Sequence, residues 1–109
     1  MNYTLDLMTE ILNINSPGGD TSEAINRLKG EFESLGVKVS KTNKGAIYGT
    51  IKGQEDENAK LISAHIDTLG AIVKEIKSNG RLKLSNIGGF AWNSVEGENL
   101  YIKTKKGKI

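Results

Sequence analysis

Helical periodicity in this chain ends at Gly36, and that boundary limits the fold more than any other feature. Ahead of it, Leu5, Met8, Ile11 and Leu12 recur at helical spacing, and so do Ala24, Ile25, Leu28, Phe32 and Leu35. Apolar residues three and four apart share one helix face. The spacing therefore predicts an amphipathic helix over 3–13 with its stripe inward, and a second helix after residue 20. Between them Ser16-Pro17-Gly18-Gly19 ends the first helix, since proline cannot extend one and paired glycines favour a loop. Asp20-Thr21-Ser22-Glu23 matches a capping box, the aspartate accepting amide hydrogens while Glu23 reaches back. Gly36 stands where a left-handed C-cap is expected.

Behind Gly36 every apolar stretch is short. Val37 and Val39 alternate with Lys38 and Ser40, as in a half-buried or edge strand, and Asn43-Lys44-Gly45 turns the chain into a strand around Ala46–Lys52. The acidic loop from Gln54 to Lys60 contains Glu55, Asp56 and Glu57, read as solvated because they lack the spacing of a calcium loop. Leu61-Ile62-Ser63-Ala64 is a continuous apolar run between turn signals, the pattern of a central strand covered on both faces. Beyond Gly70, strands over Ala71–Ile76 and Arg81–Ile87 are joined by Lys77-Ser78-Asn79-Gly80, whose Asn-Gly pair signals a tight hairpin. Gly88-Gly89 reads as a bend or bulge, with Phe90 and Trp92 anchoring inward. Leu100, Ile102 and Thr104 alternate into a turn at Lys105–Lys108. A return strand is then missing, which would leave an open edge and marks the chain as truncated.

The class is therefore α/β. With 109 residues there is room for one small domain or pieces of two. A formal charge of +2 does not call for a nucleic-acid partner, and the cluster of Lys103, Lys105, Lys106 and Lys108 has neither interleaved aromatics nor an amphipathic helix. With no cysteine there is neither a disulfide framework nor a thiolate metal site. Met1-Asn2-Tyr3-Thr4-Leu5-Asp6 lacks the basic start of a secretory signal, and no run nears the ~18 apolar residues that span a bilayer. The expected location is cytoplasmic, with no membrane partner.

One constellation carries chemistry. His65, the only histidine, follows the apolar run directly, and Asp67 is two residues on. Open sheets bind ligands just outside the C-terminal ends of their strands. Residues i and i+2 of a strand share a face, so both side chains can enter such a crevice together. A metal takes the lone pair of a neutral imidazole, and a neighbouring carboxylate holds the other ring nitrogen in the matching tautomer. Taken alone the pair is weak, because a lone histidine beside an apolar strand is more often structural, and a catalytic zinc takes about three protein ligands.

Ser63-Ala64-His65-Ile66-Asp67-Thr68-Leu69-Gly70 resembles the first metal-ligand motif of metallopeptidase family 42, the deblocking and glutamyl aminopeptidases. The likeness continues through Ala71-Ile72-Val73-Lys74, Asn79-Gly80, Ile87-Gly88-Gly89-Phe90 and Trp92-Asn93-Ser94-Val95-Glu96-Gly97. Upstream, Ser16-Pro17-Gly18-Gly19 and Asn43-Lys44-Gly45-Ala46 also fit the family's order. Thr68 departs from it, since many members carry glutamate there, so no carboxylate role transfers to that position.

The resemblance implies two divalent ions, zinc or cobalt, with His65 a metal ligand and Asp67 its orienting carboxylate. The general-base glutamate and the remaining ligands would lie beyond residue 109, so the chain holds at most a partial site and alone is expected to be inactive. It further implies that residues 1–68 open a peptidase domain and that 69–109 begin an inserted β-rich domain. That insertion would build homo-oligomers from dimers to dodecamers around a peptide-cleaving enzyme. Alternatives are a non-catalytic assembly or interaction module, and part of a related deacylase or carboxypeptidase with the same His-x-Asp opening.

Overall fold

Asn2 opens the first helix: its side-chain oxygen accepts from the Thr4 amide at 3.1 Å, satisfying a donor that the helix cannot. In the computed structural model, which describes residues 2–55 and 57–108, helix α1 runs Tyr3–Leu12 and helix α2 runs Ser22–Ser34. Met1, Asp56 and Ile109 lie outside the described residues, and with them part of the signal-peptide reading, part of the acidic loop and the last residue of the chain. Both helices fall where periodicity predicts them. Gly36 follows α2 with φ 76°, a left-handed value that strains any residue with a Cβ, so the predicted C-cap is present.

Two expectations fail at these helices. The α1 stripe does not face inward: Leu5, Met8 and Leu12 are exposed and Ile11 is half-buried. The second correction concerns the cap of α2. Its N-cap is Thr21, which makes no side-chain cap bond, and Asp20 instead accepts from Lys103 Nζ at 2.7 and 2.6 Å. A full cation at this distance is a stronger partner for a carboxylate than a neutral amide.

The helices are joined by a charged cluster absent from the sequence reading. Arg27 donates from Nε and Nη2 to both oxygens of Glu10 at 2.6 and 2.7 Å, and from Nη1 to Glu31 at 2.6 Å. The Tyr3 hydroxyl donates to the other Glu31 oxygen. The Arg27 bonds hold Glu10 below the ordinary carboxylate range. Glu31 is lowered first by Tyr3 and then by Arg27, while the Glu31 bond raises the Tyr3 phenol.

These directions set a pH window for the α1–α2 contact. The carboxylates contribute fully above their ordinary 4.5, and the contribution is lost as pH falls through their lower folded values. The Tyr3 contribution is present below the ordinary 10.0 and disappears as pH rises through its higher folded value. Tyr3 ring resonances followed from about pH 7 to about pH 2 should report loss of the contact on the acid side. Arg27→Met should flatten that titration. A wild-type Tyr3 signal that stays constant through it would refute the coupling.

After α2 come three antiparallel hairpins. Strands β1 (Val39–Lys41) and β2 (Ile47–Gly49) pair around the predicted turn, where the Thr42 amide donates to the Ala46 carbonyl at 2.8 Å. Strands β3 (Gly70–Ile76) and β4 (Leu82–Ile87) form the longest hairpin, closed at Lys77–Gly80 as the Asn-Gly signal predicts. Its register slips between Val73 and Glu75, leaving Lys74 as the extra residue of a bulge. A 3-10 turn, Trp92–Ser94, follows. The last hairpin pairs β5 (Lys103–Thr104) with β6 (Gly107–Lys108). The return strand thought missing is therefore present. Lys105-Lys106 alone makes the turn, and the Thr104 hydroxyl donates to the Gly107 carbonyl at 2.8 Å.

The largest correction falls on Leu61–Ala64, which form no strand. Leu61 is 92% exposed and Ile62 94%. A strand covered on both faces needs ladder partners and covering layers, and the described residues supply neither. Phe90 and Trp92 also do not anchor inward. Their rings meet edge to face at 5.2 Å, with Trp92 exposed and Phe90 half-buried.

What results is an open arrangement of helices and hairpins, coarsely α/β. Among the described residues only Ala24 and Ser16 are fully buried. The accessible surface is 9706 Å², against about 5,900 Å² for a compact monomer of this mass. The radius of gyration, 18.1 Å, likewise exceeds the ~13 Å of a compact domain this long.

Candidate functional site

His65 sits on the unpaired segment between the acidic loop and β3, with its side chain 83% exposed. Two residues on, Asp67 turns to the same side, as the spacing predicts. The Nδ1–Oδ1 separation is 3.0 Å. A carboxylate only accepts, so the shared proton belongs to Nδ1, and in the neutral ring the lone pair is left on Nε2. The structure thus brings the two singled-out residues together, on a segment without a strand beneath it.

A loop 52 residues ahead of Thr68 fixes this segment. The Thr68 amide donates to the Ser16 carbonyl at 2.8 Å, and the Ser16 amide donates to the Thr68 hydroxyl at 3.0 Å. Pro17 and Thr68 form an isolated parallel bridge. Gly70 permits the approach, because a Cβ there would stand 2.6 Å from the Pro17 Cβ, well inside contact distance. Ser16 is wholly buried, and its own hydroxyl has no partner among the described residues.

The surroundings of His65 are otherwise sparse. No group of three or more His, Cys, Asp or Glu side chains able to hold a metal occurs among the described residues. A shallow, open hollow lies elsewhere, between α1 and α2, lined by Tyr3, Asp6, Leu7, Glu10 and Arg27. No helix among the described residues is long and apolar enough to cross a membrane.

Comparison with known proteins gives the sequence a lineage. The family model described as M42 glutamyl aminopeptidase matches residues 45–109, a span that includes His65, Asp67, Thr68 and the β3–β4 hairpin. The chain belongs to the M42 glutamyl aminopeptidase family. Across 97% of its length this M42 chain is 42% identical to the protein named "Putative aminopeptidase YhfE" of Bacillus subtilis strain 168. Across 94% it is 29% identical to a glutamyl aminopeptidase of Lactococcus lactis subsp. cremoris strain MG1363. It spans 31% and 29% of those two relatives.

Sequence reasoning found the M42 motif and the His65–Asp67 pair but missed the role of Thr68. The residue registered only as a departure from the family pattern. Its hydroxyl and amide in fact join the Ser16 loop to the residue after Asp67. Nothing in the spacing of residues 16 and 68 signals that meeting.

Proposed function

We propose that this M42 chain supplies the first corner of the active site of a two-metal aminopeptidase that removes N-terminal residues from peptides. The observation that carries the reading is the 3.0 Å contact between His65 Nδ1 and Asp67. It holds an imidazole in the tautomer a divalent ion requires, with Nε2 accessible. This donor set fits one position of a metal site and not a whole one. His65 would hold an ion, zinc or cobalt, and Asp67 would orient the ring. Held by His65 and by ligands from the longer protein, such ions would supply a nucleophile at neutral pH and polarise the scissile carbonyl.

The rest of the reading follows the family. Residues 1–68 open the peptidase domain, and 69–109 begin a β-rich insertion through which full-length subunits form homo-oligomers. The exposed Leu61 and Ile62 then become the central strand once the longer protein encloses them. The small core and large accessible surface support this.

A single assay tests the proposal. Purified 1–109 should give no measurable hydrolysis of aminoacyl substrates with added zinc or cobalt, while the full-length protein turns them over only with metal. Turnover by 1–109, or metal-independent turnover by the full-length protein, would refute it. One observation favours a second reading, a non-catalytic interaction module: the exposed apolar surface, which includes Leu61, Ile62, Ile72 and Ile76. A full-length protein devoid of peptidase activity would decide for that alternative. Release of residues from the opposite end of a peptide would point to a carboxypeptidase.

A further inference from the structure

We infer that Thr68 is a positioning residue for His65, acting through a two-bond clip to the buried loop residue Ser16. The inference rests on the reading of His65 as a metal ligand. The Thr68 amide belongs to the same peptide plane as the Asp67 carbonyl, so its 2.8 Å bond to the Ser16 carbonyl fixes the backbone of Asp67 on one side. The Thr68 hydroxyl accepts from the Ser16 amide at 3.0 Å, which fixes the same backbone a second time. Asp67 then holds the His65 ring at 3.0 Å.

The position of an 83% exposed imidazole is thereby referred to a wholly buried residue 49 positions upstream in the sequence, through three hydrogen bonds. Without the clip, the end of the segment at Ile66–Asp67, past any strand over Leu61–Ala64, has no backbone pairing among the described residues to hold it. An exposed side chain on an unpaired segment samples many placements, and each is subtracted from its affinity for an ion. The clip removes that freedom at the carboxylate end. Gly70 and Pro17 allow it to close, the former by lacking the Cβ that would meet the ring at 2.6 Å. The hydroxyl at residue 68 thus acts on ligand geometry without needing the charge of a glutamate.

The test uses the full-length protein and zinc, titrated against a chromophoric chelator. Thr68→Val keeps the shape and removes the acceptor, and it should raise the zinc dissociation constant about tenfold. Thr68→Ser restores a hydroxyl and should stay within about twofold of wild type. His65→Ala, run beside them, should lose about one equivalent of zinc per subunit. If His65→Ala binds zinc as wild type does, the ligand reading fails and this inference with it. If His65→Ala loses zinc while Thr68→Val does not, or if Thr68→Ser is as poor as Thr68→Val, only the clip is refuted. Amide exchange of the wild type decides independently of whether the variants fold. The Ser16 and Thr68 amides should be protected together, and exchange of either at the rate of a free peptide would overturn the clip.

Discussion

His65→Ala in the full-length protein is expected to lower kcat/KM on aminoacyl substrates by about three orders of magnitude, ~4 kcal/mol of transition-state stabilisation. It should also remove about one equivalent of metal per subunit. On the proposed reading the imidazole is the ligand this chain contributes, and an alanine leaves the ion with neither a donor nor a carboxylate-oriented ring in its place. Asp67→Asn should be milder, about 10–100-fold, because an amide oxygen still accepts from Nδ1 but no longer strengthens the ring as a donor to a cation. Metal content by mass spectrometry, with turnover measured on the same preparation, checks both. Wild-type metal content and turnover in His65→Ala would remove His65 from the site altogether.

The order of elements was legible in the sequence where the signal is local. Both helices follow from apolar spacing, and Gly36 has the φ of 76° that its place after α2 demands. The β3–β4 hairpin follows from the Asn-Gly turn and the β-branched residues flanking it. Reading failed where a segment's state depends on something distant. The box at Asp20–Glu23 promised an aspartate cap, but Lys103, 83 residues away, holds that carboxylate at 2.6 Å. An apolar run such as Leu61–Ala64 states that it wants cover without saying what supplies the cover. In this chain it remains exposed.

The site divides in the same way. His65 and Asp67 lie two residues apart, so their side chains are within local reach of each other, and they meet at 3.0 Å even without a strand beneath them. The clip between Ser16 and Thr68 is carried mainly by backbone groups, which every residue possesses and no sequence pattern advertises. The Arg27 cluster is a similar case. Glu31 is at the i,i+4 spacing from Arg27, while Tyr3 and Glu10 arrive from the other helix.

A contrast between two lengths of chain tests whether Leu61–Ala64 is a strand waiting for its sheet. Ile62→Asp in the 109-residue chain should change stability by no more than about 0.5 kcal/mol, since a 94% exposed side chain has little burial to lose. In the full-length protein the same change should cost about 3–5 kcal/mol, the loss of isoleucine burial together with the desolvation of a carboxylate. Leu61→Asp is the necessary companion, because neighbouring residues of a strand point to opposite faces. If both substitutions are costly, the segment is covered on both sides, as a central strand requires. If only one is, the strand lies at a surface. Denaturant melts of the four proteins against their parents give the comparison. Equal tolerance of both variants at both lengths would mean that His65 projects from a loop, and that the Ser16–Thr68 clip is its main support.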